Sequence, residues 1–126
     1  MYQLGVRREF IARHYLSGGD WGAENIEHSH RYQVELALEK ADLDRNGFLV
    51  DIVDVERHMD DIVAGFQDKT LNALAAFEGI NPSIERLATV IHDLSRQRLA
   101  HFQPASLAVT IWEDDIAWTS YRTQEK

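Results

Sequence analysis

Three histidines carry the clearest chemical potential in this chain. His28 and His30 stand two residues apart in a segment that alternates like a strand, so both rings leave one face, about 7 Å apart at the backbone. His14 closes an earlier alternating segment with the parity of Phe10 and Ala12, so pairing of the two strands would bring a third imidazole to the same point. Three neutral imidazoles at about 2.0 to 2.1 Å with a fourth position open make a catalytic rather than a structural zinc site. The same spacing also suits strand-end histidines satisfied by carbonyl groups, and spacing alone leaves both readings standing. Such a site requires no thiolate, which matters because the chain has no cysteine. Disulfides, thiolate metal sites and a cysteine nucleophile are all excluded.

Carboxylates supply the other candidates. Glu113 shares the parity of Val109 and Ile111, so it points toward a face that is otherwise apolar. There it would pair with an arginine, accept two N–H donors from a flat heterocycle, or turn into solvent beside Asp114 and Asp115. Glu24 and Glu27 lie just before the histidine pair and could serve as acid or base, or stay solvated. His58, His92 and His101 have no second candidate ligand at a suitable spacing and read as surface or packing residues. The stretch Asp42 to Gly47 begins like a calcium loop but has Val53 where the bidentate glutamate belongs, so it reads as a turn.

The elements that must position these groups follow from periodicity. Tyr2 to His14 alternates, with Tyr2, Leu4, Val6, Phe10 and Ala12 on one side, which predicts a strand with one buried face. Tyr15 to Glu27 is dense in turn-forming residues and predicts a loop. From His28 the alternation returns, with Tyr32, Val34, Leu36 and Leu38 inside and Ser29, Arg31, Gln33 and Glu35 outside. Asp42 to Gly47 predicts a hairpin-like reversal before Phe48-Leu49-Val50. Ile52, Val55, Met59, Ile62, Val63 and Phe66 recur at helical spacing. After an ambiguous stretch from Gln67 to Ile80, Asn81 offers an N-cap and Pro82 a first helical residue for a second helix ending near Leu99. Leu107, Val109 and Ile111, then Asp114-Asp115, then Ile116 to Tyr121 predict a second hairpin. The order strand, strand, helix, helix, strand, strand implies an α+β sheet covered on one face by two helices.

Composition narrows the function classes. A chain of 126 residues and 14.5 kDa suits one domain, expected over 1–126 with no repeat or linker, and buries about two-thirds of its extended-chain surface. The formal charge of −8 opposes binding to nucleic acid or an anionic membrane surface. No apolar run nears the roughly 20 residues of a membrane span, and no signal-peptide pattern opens the chain, so a cytoplasmic protein is expected.

Five segments in sequence order resemble the 6-pyruvoyltetrahydropterin synthase and 6-carboxytetrahydropterin synthase family. They are Phe10-Ile11-Ala12-Arg13-His14, His28-Ser29-His30, Gly47-Phe48-Leu49-Val50-Asp51, Pro82-Ser83-Ile84-Glu85 and Glu113. The family has F-x-A-x-H, H-G-H, G-x-V-x-D-F and P-T-x-E segments and a late glutamate that grips the pterin. The resemblance implies the tunnelling fold (T-fold), a four-stranded antiparallel sheet with two helices on one face. It also implies zinc on His14, His28 and His30, a pterin held by Glu113, and trimeric barrels stacked into hexamers with pockets between subunits.

Departures from the pattern are specific. The family cysteine four residues before the H-G-H segment is Glu24 here, and a subgroup with glutamate there cleaves the side chain of dihydroneopterin. The family Asp-His dyad falls on Gln67 and Asp68, ahead of Leu71-Asn72. Ser29, Leu49 and Ile52 replace glycine, valine and phenylalanine. The resemblance therefore implies a zinc-dependent lyase on a 7,8-dihydropterin side chain, with Glu24 and Asp68 as the substitute acid-base pair. The alternative is a catalytically silent pterin-binding homologue.

Overall fold

A computed structural model describes residues 1–124; the last two positions of the expected 1–126 unit lie outside the described residues. The sheet consists of β1 (Tyr2–His14), β2 (His28–Lys40), β3 (Ser106–Glu113) and β4 (Ala117–Gln124), in that spatial order and antiparallel throughout. Between β2 and β3 run α1 (Ile52–Ala64) and α2 (Ile84–Arg98), which gives the anticipated order ββααββ.

Period-two alternation sorts the residues between the faces. Val6, Phe10 and Ala12 of β1, Tyr32, Val34, Leu36 and Leu38 of β2, and Leu107, Val109 and Ile111 of β3 are buried on the helix side. Val55, Met59 and Ile62 of α1 and Leu87, Ala88 and Ile91 of α2 close over them. Register then determines where the histidines fall. β1 pairs with β2 from Tyr2 opposite Lys40 to His14 opposite His28, which sets His30 opposite Ala12. Slipping this pairing by one residue would send every core side chain to the wrong face, so hydrophobic burial itself holds the histidines in register.

Local hydrogen bonds start the helices. The Asp51 carboxylate accepts from the Val53 N–H at 3.0 Å and caps α1. The second helix starts later than the expected Asn81 cap and Pro82 first residue. Its cap is Ser83, whose hydroxyl accepts from the Arg86 N–H at 3.2 Å. Asn81 is occupied elsewhere, its side-chain oxygen accepting from the Ser17 N–H at 3.1 Å. Pro82 therefore stays outside the helix with its carbonyl free to serve the site.

The reversal at Asp42 to Gly47 forms as a closed loop, and Phe48 to Val50 do not continue as a strand. Asp44 organises it, its carboxylate accepting from the N–H groups of Asn46 at 2.8 Å and Phe48 at 3.0 Å, so this carboxylate is spent on the turn as expected. The ambiguous stretch after α1 holds two short 3-10 turns, Leu71–Ala73 and Ala75–Phe77. Among the described residues, no helix is long and apolar enough to cross a membrane.

Candidate metal centre

At the end of the β1–β2 ladder the three imidazoles meet, with ring centroids 4.6 Å (His14–His28), 5.1 Å (His14–His30) and 4.7 Å (His28–His30) apart. Each Nδ1 faces an oxygen. His14 Nδ1 lies 2.7 Å from the Pro82 carbonyl, His28 Nδ1 lies 2.6 Å from the Ile26 carbonyl, and His30 Nδ1 contacts the Asp114 carboxylate. An oxygen acceptor at Nδ1 requires the proton there, which leaves the lone pair of a neutral ring on Nε2. All three Nε2 atoms are buried without a hydrogen-bond partner, and one donor atom from each histidine and a Glu24 carboxylate oxygen all lie within 4.8 Å of one another.

Three converging, buried and unpartnered lone pairs are costly unless something accepts them all, and a cation does. The donor set therefore fits a metal ion. The oxygen behind each ring is the arrangement that fixes the tautomer and orientation of metal-binding histidines. His14, only 2% exposed, is pushed below the ordinary histidine pKa by burial, against the opposing effect of its Pro82 hydrogen bond. It is thus kept in the neutral form that ligation needs.

Glu24 is presented by the 3-10 turn Gly22–Asn25, with Oε2 3.4 Å from His28 Nε2. Asn25 ties that turn down: its amide donates to the carbonyls of Leu16 at 3.0 Å and Gly19 at 2.9 Å, and its oxygen accepts from the Trp21 N–H at 2.8 Å. Glu27 is committed elsewhere, accepting from the Thr70 hydroxyl at 2.8 Å. Glu113 keeps the expected parity, with Oε1 3.6 Å from His30 Nε2 and its side chain 23% exposed. Burial raises its pKa, while His30 pulls it down.

Asp68 is not drawn into this group. It is exposed at positive φ beside the outer edge of β1, its N–H donating to the Ile11 carbonyl at 2.7 Å and its carbonyl accepting from Arg13 at 3.0 Å. Gln67 is also a structural bracket there, its side-chain oxygen accepting from the Ile11 N–H at 3.1 Å.

Two site residues escaped the sequence reading. Asp114 accepts from His30 and, at 2.9 Å, from the Arg31 N–H. Burial would raise its pKa, but these two hydrogen bonds outweigh that and hold it below the ordinary carboxylate range. Asp114 and Asp115, at φ 52° and 63°, form the β3–β4 turn, a conformation that aspartate and asparagine tolerate. The signal available in sequence was a second carboxylate beside Glu113; the turn chemistry hid it. Tyr32 read as core, and its ring is fully buried against Phe10. Its hydroxyl has no hydrogen-bond partner, and burial, reinforced by Glu113, Asp114 and Glu24, raises its pKa, so it remains an O–H donor.

The sequence matches the family model for 6-pyruvoyl tetrahydropterin synthase over residues 3–124. The chain belongs to this family. Solved structures of the 6-pyruvoyl tetrahydropterin synthase family share its tunnelling fold. The Caenorhabditis elegans 6-pyruvoyl tetrahydropterin synthase superposes with a TM-score of 0.85 at 18% identity, covering 98% of this chain and 96% of that one. A Plasmodium vivax 6-pyruvoyltetrahydropterin synthase, in a variant whose catalytic glutamate is replaced by alanine, gives 0.84 at 12% identity with 98% of each chain covered. An uncharacterized Wolinella succinogenes protein gives 0.73 at 14% identity, over 99% of this chain and 98% of that one. No curated protein matches the sequence.

Proposed function

We propose that this family member is a zinc-dependent lyase that binds a 7,8-dihydropterin and acts on its side chain. The observation that carries the reading is the convergence of three unpartnered Nε2 atoms on one point, with Glu24 and Glu113 on its margin. His14, His28 and His30 would hold the metal. When bound, the ion polarises a hydroxyl or carbonyl of the substrate side chain. Glu113 accepts the paired N–H donors of the pterin ring and so sets which substrate atoms face the histidines. Glu24, half-exposed and next to His28, removes a proton from the side chain and returns it after bond cleavage. Support for that role comes from the Plasmodium vivax relative, for which a glutamate is described as a catalytic residue.

Asp68 completes the acid-base pair from a neighbouring copy in a homohexamer built of two trimers. It stands at the end of β1 nearest the histidines, on one outer edge of the sheet, and β4 forms the other edge. A neighbour's β1 docking antiparallel along β4 brings the neighbouring copy's Asp68 to the end where Glu113 lies. Such docking also covers the exposed Trp118 and the unpaired sheet edges.

One observation favours a second reading, a pterin-binding homologue without turnover: Gln67, in the dyad slot, carries no titratable group and is used to bracket β1. The two are separated by incubating the protein with 7,8-dihydroneopterin and its triphosphate, with and without zinc, alongside Glu24→Gln and Glu113→Ala. The lyase reading expects zinc-dependent product, abolished by Glu24→Gln with zinc content retained, and weakened pterin binding in Glu113→Ala. Pterin binding without turnover would establish the second reading instead.

A further inference from the structure

At the other end of α2, three more potential ligands converge. Asp54 and His58 lie one turn apart on α1, and His101 stands on the 3-10 turn Ala100–Phe102 that follows α2. His101 Nε2 is 3.3 Å from Asp54 Oδ2, and His58 Nε2 is 3.8 Å from Asp54 Oδ1. One donor atom from each of the three lies within 4.8 Å of the others. The length of α2, about 22 Å for its 15 residues, separates this cluster from Pro82 and the histidine centre.

We propose that Asp54, His58 and His101 form a second divalent-metal site, of zinc-class preference, which fastens α1 to the turn after α2. Two imidazoles and one carboxylate suit zinc, nickel or copper, whereas calcium and magnesium demand more oxygen ligands. The geometry needs little adjustment. Asp54 and His58 are each about three-quarters buried in their side chains, and the more exposed His101, resting on Phe102 with centroids 4.1 Å apart, is free to close the remaining distance. Water fills the other coordination positions.

Metal binding asks for one local exchange. With Nε2 of His58 as ligand, its Nδ1 must carry the proton, yet an Arg98 nitrogen approaches Nδ1 at 3.5 Å. The same nitrogen is 3.2 Å from Asp61, so Arg98 turns wholly to that carboxylate when metal enters. Arg57, 3.4 Å from Asp54 and two-thirds exposed, gives way to solvent.

The test is zinc stoichiometry on metal-stripped protein at micromolar free zinc, by titration and elemental analysis. Wild type binds two equivalents per chain, and His101→Ala and His28→Ala each bind one. Their melting temperatures in chelator should match wild type for the exposed His101, so a folding defect is recognised independently. Arg98→Ala binds the second equivalent at least as tightly as wild type. A single equivalent that His101→Ala leaves in place, or a weakened second equivalent in Arg98→Ala, overturns the proposal. A single equivalent lost in His101→Ala but kept in His28→Ala would support this site and defeat the three-histidine centre, so the two readings fail separately.

Discussion

Replacing Asp114 by asparagine isolates the electrostatic support behind one candidate ligand. Asparagine accepts positive φ as readily as aspartate, so the turn at φ 52° keeps its backbone, and the side-chain shape is preserved. What changes is that one carboxylate now serves two donors, His30 Nδ1–H and the Arg31 N–H, whereas an amide offers a single oxygen. One donor loses its acceptor, and the charge that strengthens the other bond disappears. A hydrogen bond to a charged group contributes about 1.5 to 3 kcal/mol. The partners behind metal-binding imidazoles change metal affinity by about 10- to 100-fold when removed, which is about 1.4 to 2.8 kcal/mol. The two ranges overlap, so Asp114→Asn should weaken zinc binding by roughly one to two orders of magnitude. Competition with a chromophoric chelator reads this directly, with the melting temperature of the metal-free variant as a folding control. A dissociation constant within about a factor of two of wild type would refute the claim that Asp114 aims and enriches His30.

Tyr32→Phe removes a buried hydroxyl that has no partner, so it should leave stability unchanged or raise it by about 1 kcal/mol; a clear loss of stability in chemical denaturation would show that the hydroxyl is paired after all. His14 has a folded-state pKa lowered by burial, so between that value and the ordinary value of about 6.5 the unfolded chain binds more protons than the native one. Its contribution is fully present above about pH 6.5 and is lost as pH falls through the folded value, and protons compete for Nε2 with the same sign, so metal should leave on acidification and return on neutralisation. Metal occupancy that does not change between about pH 7 and 5 would count against the site. Ser83→Ala deletes the cap of α2 and should cost about 1 kcal/mol in chemical denaturation, with a further drop in metal affinity because the adjacent Pro82 carbonyl orients His14.

Periodicity alone was enough for the strands, both helices and the inward parity of His14, His28, His30 and Glu113, because alternation and helical spacing are imposed by burial within each segment. Motif order was enough for the family. The cap of α2 falls two residues beyond the one its sequence suggests, since Asn81 and Ser83 both suit a helix start and only the competing claim of the Ser17 N–H decides between them. Asp114 and Tyr32 were hidden for a related reason: a turn aspartate and a core tyrosine have ordinary local explanations, and their second use exists only where β2 meets the β3–β4 hairpin. The same holds for His101, which acquires Asp54 and His58 as neighbours through the packing of α1 beside the end of α2. Sequence by itself determined which faces are wet and which residues can share one, because that follows from the repeat of a single strand or helix. Tertiary structure decided which lone pairs meet, which protons are held at Nδ1 and which carboxylates are already spent, because those depend on hydrogen bonds between segments far apart in the chain.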